Sequence, residues 1–586
     1  MKEIVFISII LGVFLLPLIS FAFDSNKIYY YTLKDDGTAR SYDEVIAVNT
    51  IQGIVNKSNP VLWVNAENEK FANFWQKKLS EDNRWLADRE WVKIENLDDL
   101  VELFKDKMEG IVVWDTDVSA TLNVGTTISG VENLILLSPD FAAEYAEKWK
   151  LAIKVDLRGK FDGSETGSKK NDAYRWAIRE YLAKGKCSDK FIFLYDDPWK
   201  DKRETGALRY STGRDWIVYN KGFVFDVSPW GDEISPDDPN QKLGTDRETY
   251  KLILQTVYDN ANGEYMTELS GFFDFFKYSI HAGGKHGEIE TEWESVHLMT
   301  PYNVFQNTAD HNCYNRSFHK NFDLKPLKQT ADKEIKSSLE NKTYICILMA
   351  DYDSATPLYA FLPPLWEDEK RGEIPLSWAI NPNLIDSYPD VISYYYETAT
   401  ANDYFVSDAG AAGYFNPTLI KPEHLTMFTN HNKRYFELAD MDIAPMILDI
   451  KPLTNQVKDS FLSFAKSGIG VTLSNDRCYT IQPIEPEVWK GMTMTNLVGA
   501  PDSLIKNPYF ENNDFAKFAN WINATYLKEL DKNRPNFFYM RIIWSSPSQI
   551  IGGFDAVKNL RSDLGIEIVD PYTFFNLLGQ SLEKKQ

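Results

Sequence analysis

The sequence predicts an α/β protein in which small N-terminal α/β domains precede a C-terminal (β/α) barrel, TIM-like or incomplete. Three observations lead there. Short apolar runs alternate with helix-period segments along the chain, the pattern of βα units rather than of hairpins. The alternation is most regular over 341–586, where seven strand-like runs are separated by helical stretches. At 586 residues the chain exceeds what one hydrophobic core serves, so several domains are required.

The chain opens with a candidate cleavable signal peptide, 1–22. Lys2 supplies a basic start and no charge follows from Ile4 to Phe23. Pro17 interrupts the apolar run, and Ser20-Phe21-Ala22 places small residues where a signal peptidase reads. No Cys follows the run, so a lipoprotein anchor is not expected, and no later segment has the length of a membrane span. The expected address is periplasmic or extracellular.

A first α/β domain is expected over 23–145. Val45, Val48, Ile51, Gln52 and Val55 give a helix over 41–56, ended by Asn59-Pro60. Val61-Leu62-Trp63-Val64 reads as a buried strand, followed by strands at 110–114 and 133–137. A second small domain, 146–225, carries a helix over 172–184, a strand at 191–195 and a further strand over 218–227. The third subdomain, 226–330, holds the acidic loop Pro236-Asp237-Asp238-Pro239 and a helix over 247–259. It also contains a His/Glu/Trp-rich stretch over 271–320. Five of the seven histidines lie there, His281, His286, His297, His311 and His319, with Glu288, Glu290, Glu292, Glu294 and Asp310. No HExxH spacing appears, so the stretch reads as a polar loop region edging a substrate cleft, to which Glu292 and Trp293 contribute, with a metal site as the alternative. A lysine-rich connector at 320–338 marks the main boundary. Beyond it, strands are expected at 343–350, 377–380, 404–407, 444–448, 469–473, 536–543 and 566–569.

A net charge of -22 argues against nucleic acid, because phosphate binding needs clustered Lys and Arg. The four cysteines, Cys187, Cys313, Cys346 and Cys478, are too scattered for a zinc site or a predicted disulfide. Aromatic residues are numerous, with 16 Trp, 31 Tyr and 35 Phe. Trp199, Trp216, Trp230, Trp293, Trp366 and Trp378 fall in polar surroundings, where flat rings suit the apolar faces of sugars if they are not core anchors.

In a βα barrel the chemistry sits at the strand carboxyl ends. Here those ends read Asp351-Tyr352-Asp353-Ser354, Asn381-Pro382-Asn383, Asp408, Asp449, Ser474-Asn475-Asp476-Arg477 and Trp544-Ser545-Ser546. Asp351 and Asp353 are one residue apart, so an extended segment turns both to one side. Such a pair serves acid/base chemistry, or holds a divalent metal, or belongs to a capped turn.

The most distinctive stretch is 407–417, SDAGAAGYFNP, with Gly410 and Gly413 for close backbone approach and Pro417 stiffening the exit. This segment resembles the signature of the GxGYxYP family of putative glycoside hydrolases. Gly413, Tyr414 and Pro417 match it, while Ala411 and Asn416 replace the first Gly and the second Tyr. RGEIPLSWAINP at 371–382 and DYD at 351–353 resemble the stretches expected around it. The segment IQGIVNKSNPVLWV, the region around Trp114, LGTD at 243–246 and TEWES at 291–295 resemble the family's N-terminal domains. The resemblance thus covers nearly all of the chain beyond 1–22.

What it implies is an exported carbohydrate-active hydrolase. Glycoside hydrolysis needs a proton donor and a carboxylate base or nucleophile flanking the scissile bond. The expected catalytic residues are Asp351 and Asp353, with Glu397 and Asp408 as partners. Glu292, Trp293, Arg371, Trp378, Asn381, Asp403, Gly413 and Tyr414 are the expected substrate-binding residues. No cofactor is implied unless a divalent metal occupies Asp351 and Asp353, as it would in a carbohydrate deacetylase. A non-catalytic glycan binder is the other reading.

Overall fold

The computed structural model describes residues 26–34, 36–67, 69–199, 213–308, 313–350, 354–474, 481–500 and 514–584. The expected signal peptide, Asp351 and Asp353, Asp310, His311 and Cys478 lie outside the described residues. No helix among the described residues is long and apolar enough to cross a membrane.

Three small parallel sheets build the N-terminal half. Strands β1 (Lys27–Leu33), β2 (Leu62–Ala66) and β3 (Glu90–Ile94) run in the order β2-β1-β3. Strands β4 (Gly110–Val113), β5 (Leu134–Leu137) and β6 (Ile153–Asp156) repeat that order as β5-β4-β6. Strands β7 (Phe191–Leu194), β8 (Phe223–Phe225), β9 (Thr267–Ser270) and β10 (Val304–Asn307) extend it to β10-β9-β7-β8. In each sheet the first strand lies between the second and the third. Each therefore has a point where the chain reverses its direction across the sheet, and loops at the strand carboxyl ends part there.

Local sequence explains the elements. Thr38 caps helix Ala39–Asn56 by accepting the Ser41 N–H, and the helix is buried on nearly every side from Ser41 to Asn56. The apolar run expected over 218–227 is divided instead. Helix Arg214–Asn220 takes its first residues, and left-handed Lys221 ends the helix before β8. The stretch read as loop over 271–320 holds helix Glu288–Met299 and β10.

The C-terminal half contains β11 (Thr343–Met349), β12 (Leu376–Ala379), β13 (Asp403–Val406), β14 (Ile443–Asp449), β15 (Gly468–Ser474), β16 (Ile481–Gln482), β17 (Glu487–Trp489), β18 (Met492–Thr495), β19 (Leu497–Gly499), β20 (Asn536–Ile542) and β21 (Ile566–Ile568). One sheet runs β13-β12-β11-β20-β19, with β21 also paired to β11. A second runs β14-β15-β18-β17, with β16 paired to β15. All pairings are parallel except those of β16 and β17. Every residue of β11 is buried, as expected for a central parallel strand covered on both faces.

The connector is a strap rather than a free linker. Gln329 donates to the Phe405 carbonyl and accepts the Phe405 N–H at 2.9 Å each, and Leu327 donates to the Leu438 carbonyl. Cys187, Cys313 and Cys346 are buried thiols.

Candidate active site

The stretch 407–417 leaves β13 as a loop fastened from several sides. Gly410 and Gly413 take φ of +84° and +106°, which a side chain resists. Gln306 of β10 donates to the Tyr414 carbonyl and accepts the Tyr414 N–H, both at 2.9 Å, so loop and strand edge share an antiparallel bridge. That bridge brings Phe305 so close that a Cβ on Gly413 would lie 2.2 Å from its ring. The Gly413 N–H donates to Asn381 Oδ1 at 2.7 Å, and the Ala412 N–H to Asn432 Oδ1 at 2.9 Å. His431 Nε2 lies 2.8 Å from the Ala412 carbonyl. Burial pushes this imidazole down to about 4, against the pull of that hydrogen bond, so it donates as a neutral ring. Asn416 reaches Thr300 and the Leu448 carbonyl, and Thr418 donates twice to Asp449.

Around this loop the strand ends form a polar floor. Asn381 and Asn383, after β12, are both buried. Asn381 Nδ2 lies 3.4 Å from Ser354 Oγ, and Ser354 accepts the Thr308 N–H. Asn383 donates to Asn307 Oδ1 at 2.6 Å, joining the C-terminal half to the end of β10. Asp408 is buried immediately after β13, and Asp449 is buried at the end of β14. Burial pushes Asp449 up to about 6, although donors from Thr418 and Ile450 oppose the shift. Glu268 of β9 is buried at the same seam and takes the Ser270 hydroxyl at 2.8 Å. Burial pushes its carboxyl up to about 7, against the hydrogen bonds of Ser270 and Asn307 and the charge of Arg316. Trp544, just beyond β20, takes φ of +38° while buried. A bulky residue rarely accepts that backbone, and such strain gathers at functional sites. Neighbouring Ala350, which leads into Asp351, donates to the Ile542 carbonyl.

Several expected site residues lie elsewhere. Asp403 opens β13, at the amino end of the strand. There it ion-pairs with Arg371 and accepts the Trp378 indole N–H at 2.8 Å, while Arg371 stacks 4.1 Å above Trp366. Arg371, Trp378 and Asp403 do come together, but as a knot at the end opposite the signature loop. Glu397 sits in the last turn of helix Pro389–Thr398, which returns the chain to that same end, and it pairs with Arg84 and Ser393. Trp293 faces the core of its helix at 3% exposure and Glu292 is half-buried beside it, so neither edges a loop-built cleft. Trp216, Trp230, Trp366 and Trp378 are likewise core residues. Glu268 and Asn307, which carry no motif in the sequence, are brought to the seam instead. They sit in four-residue strands with no apolar run to announce them.

Comparison with known proteins agrees with this architecture. A family model described as GxGYxYP putative glycoside hydrolase C-terminal domain matches residues 341–579, and GxGYxYP_N second domain matches 108–185. The chain belongs to the GxGYxYP family. In this GxGYxYP protein Ala411 stands at the first Gly of the signature, and its N–H closes a tight turn onto the Gly413 carbonyl. Among solved structures it is similar to a putative hydrolase from Bacteroides thetaiotaomicron VPI-5482, with a TM-score of 0.68 over 95% of both chains. Their sequence identity is 16%, so this likeness concerns the fold. A putative polysaccharide deacetylase from Mycobacterium smegmatis aligns at a TM-score of 0.26 and 12% identity, over 44% of this chain and 96% of that one. No curated protein matches the sequence.

Proposed function

We propose that this GxGYxYP protein is an exported glycoside hydrolase whose active site is the floor beneath the signature loop. The C-terminal strands read as one incomplete barrel. Ser407 and Gly410 donate to the Ile443 and Met446 carbonyls, tying β13 to β14, and only Asn496 separates β18 from β19. β20 then pairs with β11. On this reading the strand carboxyl ends share one mouth, as catalysis on such a fold requires.

The observation that carries the proposal is the fastening of the signature loop. Its hydrogen bonds come from β10, the end of β12, helix Leu425–Leu438 and β14, and they hold Asp408 in a buried, preorganised position. Asp408 supplies one carboxyl group, and Asp351 or Asp353, which follow β11 in sequence, supplies the second. One protonates the leaving oxygen while the other, ionised, activates water or attacks the anomeric carbon. Asn381 holds the Gly413 backbone so that the loop keeps its shape as the sugar binds. Export rests on residues 1–22, where the uncharged run meets Ser20-Phe21-Ala22.

The test is a polysaccharide panel offered to the purified mature chain. Asp408→Asn, and one of Asp351→Asn and Asp353→Asn, should lower turnover by about 10²–10⁴ while glycan affinity is retained. A panel in which no glycan is cleaved overturns the proposal. Turnover abolished by chelator would point to metal-dependent deacetylation instead.

A further inference from the structure

A second polar site lies in the N-terminal half. The loops that follow β4, β6 and β8 meet around a cavity of about 340 Å³. It lies at strand carboxyl ends, where open parallel sheets of this order bind their ligands, and its size falls within that of small-molecule sites, about 300–1,000 Å³.

The floor is a buried network of charge. Lys170 donates to Asp237 at 2.8 Å and to Asp246 at 2.6 Å. Behind it Lys277, with no exposed surface, reaches Asp197 at 2.8 Å, Asp226 at 2.7 Å and Asp237 at 3.1 Å. Burial alone would discharge both lysines, but the surrounding carboxylates outweigh it and raise both above the ordinary range. Burial likewise pushes Asp237 up, and the two lysines more than reverse it, so this carboxylate stays ionised. Lys170 and Asp237 thus line the cavity as a fixed, internally paired floor, which leaves the rim side chains to meet a ligand. The rim carries Asp117, Asp162, Lys169 and Asp238.

Its loops are held in shape without a ligand. Asp115 accepts the N–H groups of Asp117 and Gly159 at 2.9 and 2.8 Å. Asp172 accepts those of Glu165 and Thr166, with the Thr166 hydroxyl at 2.6 Å. Ser168 donates to Asp238 across the gap between two subdomains.

The chemistry of the lining selects a ligand. An anion would meet four carboxylates against two ammonium groups. A metal ion would need several carboxylates within reach of one open point, and the three that converge here, Asp197, Asp226 and Asp237, already hold Lys277. A neutral polyol meets neither obstacle, because each hydroxyl both donates to a carboxylate and accepts from an ammonium or amide N–H.

We propose that this cavity is a neutral-sugar subsite, separate from the active site. The choice of a sugar among neutral polyols rests on the glycoside hydrolase reading. The subsite would hold a neighbouring part of the glycan, or a separate chain, while the C-terminal half acts.

Saturation-transfer NMR and calorimetry on the mature chain, with glucose, galactose, mannose and xylose as probes, test this. Asp117→Ala and Asp162→Ala alter exposed rim side chains and should leave the fold intact, seen as an unchanged melting temperature. Each should weaken binding of a responding sugar about tenfold or more, the loss expected for a charge-assisted hydrogen bond. Asp408→Asn should not change that binding. Three results overturn the inference: no probe binds, binding is unaffected by both rim variants, or calcium alone binds wild type but not Asp162→Ala. Loss of binding in the rim variants of a chain that cleaves nothing would sustain the subsite and reject the hydrolase. Turnover without rim-dependent binding would do the reverse.

Discussion

Gly413→Ala tests the reasoning behind the signature loop most directly. The new methyl would lie 2.2 Å from Phe305 Cδ2 and 2.8 Å from Cγ, well inside contact distance. Phe305 is 3% exposed and its ring packs 4.8 Å from that of His431, so it has nowhere to retreat. Overpacking of this kind costs about 1–3 kcal/mol. Holding a non-glycine residue at φ of +106° adds about 1–2 kcal/mol. The lost flexibility of the unfolded chain returns about 0.4–1 kcal/mol, leaving a net loss of about 1–4.5 kcal/mol. Urea unfolding followed by tryptophan fluorescence measures it as a lower midpoint. A cycle with Phe305→Ala separates the two causes. If the clash is real, the double variant should lose about 1–3 kcal/mol less than the sum of the singles. A Gly413→Ala midpoint indistinguishable from wild type, or an additive cycle, would refute the account of why glycine stands there.

Two further outcomes follow from buried charge. Lys277→Met leaves Asp197, Asp226 and Asp237 facing one another without their central counter-charge, and should cost about 3–5 kcal/mol at pH 7; a loss below about 1 kcal/mol in urea would show the network to be dispensable. Glu268 has a folded pKa near 7 against 4.5 for the free side chain, so its stabilising contribution is complete below 4.5 and lost as pH rises through 7. Glu268→Gln should remove about 3 kcal/mol of that fall, seen as a flatter melting temperature between pH 4.5 and 8, and an unchanged pH slope would contradict the burial argument.

Where strands are fully covered, the sequence announces them. TYICILM and LILL are continuous apolar runs bounded by turns, and β11 and β5 lie within a residue of the expected positions. Periodicity likewise placed the helices Ala39–Asn56 and Thr245–Ala261, but not Ala120–Glu132 or Leu425–Leu438. It failed where polar residues enter a buried strand. TELS has three polar residues of four and VFQN two, yet they form β9 and β10 because Glu268, Ser270 and Asn307 bond to one another rather than to water. The strand-end residues Asn381, Asp408 and Asp449 are legible in the sequence, and the structure puts all three near the signature loop. Sequence alone could not tell one end of a strand from the other for residues reached by helices. Glu397 and Asp403 are candidate site carboxylates in sequence, but a helix that follows a parallel strand must carry the chain back to the amino end. The tryptophans misled for a related reason. Trp293 has polar, half-buried neighbours in Glu292 and Glu294 while its own ring points into the core, and Trp378 sits in a strand buried at every residue.

Each matching residue of the signature has a physical reason. β10 is an edge strand of its sheet, and an uncovered edge offers unpaired N–H and C=O groups to any other chain. Gln306 has both groups taken by Tyr414, so the loop closes that edge. To reach it, the chain must pass over Phe305, which only a residue without a side chain at Gly413 allows. Pro417 then begins the short helical turn Pro417–Leu419 at the position where its missing N–H costs nothing. Thr418, the next residue, anchors to Asp449. Glycine crosses a neighbour's ring, tyrosine pairs with its strand, and proline turns the chain back to the C-terminal sheet. The walls beneath the loop consequently belong to both halves of the molecule. Asn307 and Thr308 from the third sheet meet Asn383 and Ser354 from the C-terminal half. A motif that reads in sequence as a catalytic fingerprint is, in physical terms, first a seam, and the chemistry proposed for Asp408 depends on that seam being closed.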